Sequence, residues 1–121
     1  MNTPPDFPED ENGQILRRMY ERGDDLTKPR MVDFNFIFPE RRLALAFAEI
    51  IDDPTVELCI SYYEQRDKWQ VKAHRPMVPT HAEITRWELE LTVHAEKLGG
   101  QADGWGCMSV KPLIQLKQSL N

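Results

Sequence analysis

The side chains of this 121-residue chain best suited to holding a metal or moving a proton are His74, His81 and His94, Cys59 and Cys107, and the carboxylates Glu88 and Glu90. Their spacing fits none of the usual chemistries. The histidines follow neither the HExxH pattern nor the separation of a zinc-binding pair, so they read as solvated side chains. The cysteines form no CxxC motif and read as reduced thiols. Glu88 and Glu90 stand two positions apart, which points them different ways around a helix, unlike the facing carboxylates of an acid-base site. No nucleophile, base and orienting group come together, so no catalytic residue, metal site or cofactor is expected.

One short stretch remains, QADGWGCM at residues 101 to 108. Two glycines flank a tryptophan in what the surroundings mark as a last strand, where glycine normally weakens pairing. Gly104 and Gly106 permit close approach of a helix, a bulge or special backbone angles. Trp105 then fills the core or covers a sheet edge, a structural role in either case.

The elements that must position these residues follow from periodicity. Residues 1 to 9 are acidic and rich in proline and read as a flexible arm. Ile15, Leu16, Met19 and Tyr20 recur at helical spacing, and Gly23 supplies a stop. Arg30 to Phe38 alternates, with Val32, Phe34, Phe36 and Phe38 on one side and Asp33 and Asn35 on the other. After Pro39, ERRLALAFAEIID predicts a helix with Leu43, Ala46, Phe47 and Ile50 inward. Residues 55 to 64 and 69 to 75 predict two antiparallel strands joined by QRDK, with Val56, Leu58, Ile60 and Tyr62 on one face. Thr80 with Glu83 marks a capping box opening a long helix through Ile84, Trp87, Leu91 and Leu98, closed by Gly99 and Gly100. QADGWGCMSV is the final strand, and residues 111 to 121 form a tail.

This order, a helix and then strand-helix-strand-strand-helix-strand, predicts an α+β fold: a ferredoxin-like βαββαβ two-layer sandwich with an extra N-terminal helix and a four-stranded antiparallel sheet. The usual strand order of that fold puts Cys59 and Cys107 on opposite edges, roughly 14 Å apart and beyond disulfide reach. Its open face should carry Asp33, Asn35, Glu57, Cys59, Ser61, Gln70, Lys72 and His74. A face of that kind either binds a partner or is plain solvated surface.

Composition narrows the partners. With a net charge of -5, the chain lacks the clustered basic surface that grips a phosphate backbone, so no direct nucleic acid is expected. Phe34, Phe36 and Trp69 fall on the inner face, which also removes the base-stacking platform of an RNA-recognition domain. The loop Phe38-Pro39-Glu40-Arg41 has no glycine and carries an acid, so it cannot cradle a phosphate as acylphosphatase-like enzymes do. No stretch is long and apolar enough for a membrane span, and the start is no secretory signal, which together predict a cytoplasmic protein.

Asp-Gly-Trp-Gly at 103 to 106 after a long helix, DENGQILRRMYERGDDLTKPRMVDFNFIFP at the start of the domain, and WQVKAHRPMVPTHAEI resemble the bacterial regulator of ribonuclease E activity B family. The resemblance covers residues 10 to 110 and agrees with the ferredoxin-like layout. It implies a non-enzymatic regulator that binds the scaffold half of the endoribonuclease RNase E and lowers its cleavage of RNA. The best-known members end in an acidic tail, whereas residues 111 to 121 here contain Lys111 and Lys117 and no acid. The expected partner-binding set is Asp33, Asn35, Glu57, Lys72 and Asp103, with the acidic arm Asp6, Glu9, Asp10 and Glu11 beside it. Asp103, Gly104, Trp105 and Gly106 are the structural motif, and a monomer or weak homodimer is expected. The alternative is a small-molecule-binding or enzymatic domain with a pocket beneath the Asp-Gly-Trp strand.

Overall fold

In the computed structural model, which describes residues 5–112, the elements run α1 Glu11–Glu21, β1 Arg30–Phe38, α2 Arg41–Ile50, β2 Glu57–Tyr63, β3 Lys68–Met77, α3 His81–Lys97 and β4 Gln101–Cys107. A short 3-10 turn, Glu64–Arg66, joins β2 to β3. The sheet is antiparallel in the order β2-β3-β1-β4, so β1 and β3 are central and Cys59 and Cys107 lie on opposite outer strands, both free. Residues 1–4 of the expected arm and the tail from 113 onward lie outside the described residues. No helix among the described residues is long and apolar enough to cross a membrane.

Alternation in β1 decides where the core sits. Val32, Phe34, Phe36 and Phe38 are all buried on one side. They meet Phe47 of α2, whose ring centroid stands 5.0 Å from that of Phe36 and 5.1 Å from that of Phe38. Tilted pairs at this spacing add aromatic attraction to the area they bury. Ile84, Leu91 and Ala95 of α3 and Leu16 of α1 close the cluster.

Three sequence expectations are corrected here. Ile50 is 44% exposed: α2 ends there, and Ile51, already extended, turns inward in its place. Leu58 and Tyr62 are also exposed, because β2 is an outer strand whose inner side the helices leave partly uncovered. Tyr20 reaches the rim of the core and pairs with Phe7 at 5.9 Å between ring centroids. Phe7 itself packs against the core.

The caps fit the sequence with one difference. The Thr80 hydroxyl accepts the Glu83 N–H at 3.2 Å, but the Glu83 carboxylate pairs with Arg86 at 3.0 Å. Only half of the capping box is therefore made, and the Thr80 N–H bonds the Val78 carbonyl instead. Asp10 caps α1, its Oδ1 accepting the Gly13 N–H at 2.8 Å. Both Asp10 oxygens also meet His81 Nε2, at 3.0 and 2.8 Å, so His81 is a partner of α1 and not the solvated side chain its spacing suggested.

A buried ion pair holds the chain ends of these elements together. Nη1 of Arg30, at the start of β1, donates to both oxygens of Asp24 at 2.8 Å, and the two side chains are only 4% and 1% exposed. Arg30 also reaches the Asp25 carbonyl at 2.8 Å and the Met108 carbonyl at 3.1 Å. Asp24 accepts the Val110 N–H, and the Asp25 N–H donates back to Val110 at 2.7 Å. The loop after α1, the first strand and the segment after β4 thus share one satisfied polar centre.

Removing one partner leaves a buried charge unpaired, so Asp24→Ala is expected to cost about 3–5 kcal/mol in a denaturant titration. A loss below about 1 kcal/mol would show the pair to be dispensable. The Asp10 cap has a distinct pH signature. The Gly13 N–H first, and His81 second, hold its carboxyl below the ordinary value of 3.8. A carboxyl lowered by folding stabilises the fold above its unfolded value and ceases to do so as pH falls through its folded one. Asp10→Ala should therefore melt below the wild type at pH 5, with the gap closing below pH 3.8. A gap unchanged at pH 2 would refute the assignment.

Candidate functional site

The strand register lays out the open face of the sheet in rows. Across one row stand Glu57, His74, Asp33 and Gly106, and across the next Cys59, Lys72 and Asn35. The register between β1 and β4 shifts after Phe34, so that Trp105 faces Phe34 while Ala102 faces Phe36. Asp103 and Gly104 therefore both fall opposite Asn35, which is the two-against-one pattern of a bulge. The five expected partner-binding residues, Asp33, Asn35, Glu57, Lys72 and Asp103, are spread over all four strands of this one sheet.

Internal partners tie up part of the set. Asp33 Oδ1 and His74 Nδ1 are hydrogen-bond partners, so His74, like His81, is not simply solvated. Asp103 accepts from Arg66 Nη1 at 2.9 Å, although Arg66 sits in the turn between β2 and β3 and Asp103 on the far outer strand. The pair spans the sheet from β3 to β4. Arg66 carries no local signal of this role, because only the strand order brings the hairpin turn within reach of β4. Asn35 Nδ2 donates to the Gly104 carbonyl at 3.4 Å, fastening the bulge to β1. The face is not wholly polar: Ile37, placed outward by alternation, is 2% exposed and stands apart from the core cluster.

The two glycines of the motif differ. Gly104 has φ +88°, a region that side-chain-bearing residues avoid, so the bulge requires glycine there. Gly106 has no such angle, and a Cβ built on it would meet no atom within 4 Å. Nothing within the described fold demands glycine at 106.

Trp105 faces the other way and packs against the core. Its indole N–H donates to Asn12 Oδ1 at 2.8 Å, and Asn12 Nδ2 donates to Thr85 Oγ1 at 3.1 Å and Glu88 Oε1 at 3.3 Å. The motif thereby joins β4, α1 and α3. Asn12 and Glu88 carried no sequence signal for this, since each is an ordinary helix residue until the fold brings them together. Burial pushes the Glu88 carboxyl above its ordinary value, with Glu11 adding to the effect. Burial likewise raises the Cys107 thiol, the opposite of what a reactive cysteine needs.

Beside Trp105 lies a groove of about 340 Å³ lined among others by Glu11, Asn12, Ile15, Glu88 and Leu89. A second hollow of about 220 Å³ is bounded by Ile51, Asp53, Trp87, Glu90 and His94. Among the described residues, no group of three or more histidines, cysteines or carboxylates is placed to hold a metal ion.

The contrast between the glycines predicts opposite stability effects. Gly104→Ala should lose about 1–2 kcal/mol from the forced left-handed conformation. Gly106→Ala should be neutral or gain up to about 1 kcal/mol by restricting the unfolded chain. Denaturant midpoints of the two variants check this, and equal losses would contradict the assignment of the bulge.

No curated protein matches the chain. The family described as regulator of ribonuclease activity B, RraB, matches residues 9–107, from just before the cap of α1 to the last residue of β4. All seven regular elements and the Asp-Gly-Trp-Gly bulge fall within the match, and the chain belongs to the RraB family.

Proposed function

We propose that this chain is a non-enzymatic, cytoplasmic binding module that restrains a ribonuclease of the RNase E type by contact with its scaffold region. Family membership supports the regulatory reading. The proposed body is the ferredoxin-like domain of residues 10 to 110, with α1 as an addition to the βαββαβ core. The proposed contact surface is the open sheet face, in particular Asp33, Asn35, Glu57, Lys72 and Asp103. The acidic residues Asp6, Glu9, Asp10 and Glu11 belong to the same proposal, although Asp10 is already engaged by Gly13 and His81.

Gly106 is the observation that carries the choice of surface. Glycine weakens a strand by roughly 0.5–1 kcal/mol relative to alanine, and inside the described fold nothing calls for it. A strand glycine without an internal reason fits close approach by another backbone from outside. Gly106 stands opposite Asp33 and in the row of His74 and Glu57, so the approach would be made over the expected partner-binding residues.

Charge reversal at Asp33 or Asp103 would also break an internal pair, which makes those variants ambiguous. Gly106→Val and Glu57→Lys avoid that difficulty. Calorimetric titration of the full chain with the purified scaffold half of RNase E from the same cell should show micromolar or tighter binding. Both variants should weaken it at least tenfold without lowering the melting temperature. Wild-type affinity in both would remove the open face from the contact surface, and absence of binding by the wild type would exclude that ribonuclease as the partner.

A further inference from the structure

The groove between α1, α3 and β4 lies on the helix side of the domain, away from the open sheet face. Its walls have two characters. Ile15 and Leu89 supply apolar surface, and Leu89 is 62% exposed. Glu11 and Glu88 supply carboxylates, and the described lining residues include no lysine, arginine or histidine. Trp105 forms a further wall.

The polar wall is fixed before anything binds. Asn12 is committed by three hydrogen bonds, to the Trp105 indole, Thr85 and Glu88, so neither its amide nor the tryptophan is free to turn. Among the described residues, Glu88 receives only the long 3.3 Å bond from Asn12 on Oε1 in return for its partial burial. Its charged form is penalised by desolvation and by Glu11, and the attraction of an incoming cation would offset both. An anion would meet two carboxylates and is excluded.

Shape and chemistry select among cations. A guanidinium offers several donors in one plane, can bridge two carboxylates, and stacks on an indole, and it is less strongly hydrated than an ammonium. Its three-methylene stem matches the apolar rim. We propose that this groove is a docking site for an arginine side chain of a protein partner, held between Glu11 and Glu88 against Trp105. The inference concerns a surface separate from the open face and does not require that the partner be a ribonuclease.

The probes are three capped peptides, acetyl-Gly-Arg-Gly-amide and its lysine and citrulline counterparts, titrated into the full ¹⁵N-labelled chain. The arginine peptide should give saturable shifts of the Trp105 indole N–H and of the Glu88 and Leu89 amides. Citrulline, equal in shape but uncharged, should bind at least tenfold more weakly, and lysine should fall between. Glu88→Gln keeps an oxygen for the Asn12 bond and should weaken arginine binding about tenfold. Glu11→Gln changes an exposed side chain, leaves the fold intact, and should weaken it severalfold. Equal binding of citrulline, wild-type affinity in both variants, or shifts confined to the open sheet face would each overturn the proposal.

Discussion

The buried Asp24–Arg30 pair is the interaction on which the placement of α1, and of the groove beside it, depends. Helix α1 stands outside the strand-helix alternation that builds the rest of the domain, so sheet pairing alone does not position it. The pair fixes its C-terminal end against β1 and the segment after β4. Asp10 and His81 fix its N-terminal end against α3. A buried ion pair is weak evidence for net stability, since an apolar pair of equal volume often serves as well. What it does supply here is geometry, because the guanidinium must meet Asp24, Asp25 and Met108 at once. With α1 pinned at both ends, Asn12 arrives within reach of Trp105 and Glu88, and the groove exists as a consequence.

The strand β4 then serves both sides of the sheet. A bulge opposite Asn35 changes the register by one residue, and without it every later side chain would exchange faces. The positive φ of Gly104 makes the bulge possible. Trp105 is thereby turned inward to join the two helices, while Gly106 is turned outward beside Asp33. One local backbone feature sets both the internal fastening and the outer surface, which gives a physical reason for the two glycines to bracket the tryptophan. Their causes nevertheless differ: one glycine satisfies the backbone and the other leaves space.

Period and punctuation made most of the fold legible. The four strands and three helices lie where alternation, the 3.6-residue period and the prolines and glycines put them, because those signals report which side of each element is buried. The errors came at margins. Ile50, Leu58 and Tyr62 have the right periodicity and the wrong environment, since a pattern says which way a side chain points and not whether another element reaches far enough to cover it. The site was less legible for a related reason. His74, His81, Arg66, Asn12 and Glu88 acquire their partners from strands and helices distant in sequence, and spacing rules only detect ligands carried by one element. Asp-Gly-Trp-Gly was visible as an anomaly because glycine in a strand conflicts with local propensity, and such conflicts tend to fall at functional or strained positions.

The distribution of charge connects these parts to what the molecule can bind. Six arginines are already engaged. Arg30, Arg42, Arg66 and Arg86 pair with carboxylates, while Arg41 and Arg75 lie over Trp69 and Trp87. Formal net charge is -5, and unpaired carboxylates such as Glu11 and Glu57 stand exposed. Such a surface repels the phosphate backbone of RNA and draws in a basic protein, a long-range effect that accelerates encounter and fades as salt screens it. Under the proposed function, a module of this charge restrains the ribonuclease without competing for its nucleic acid, and the local shape of the proposed groove and sheet-face surfaces selects which cationic surface stays bound.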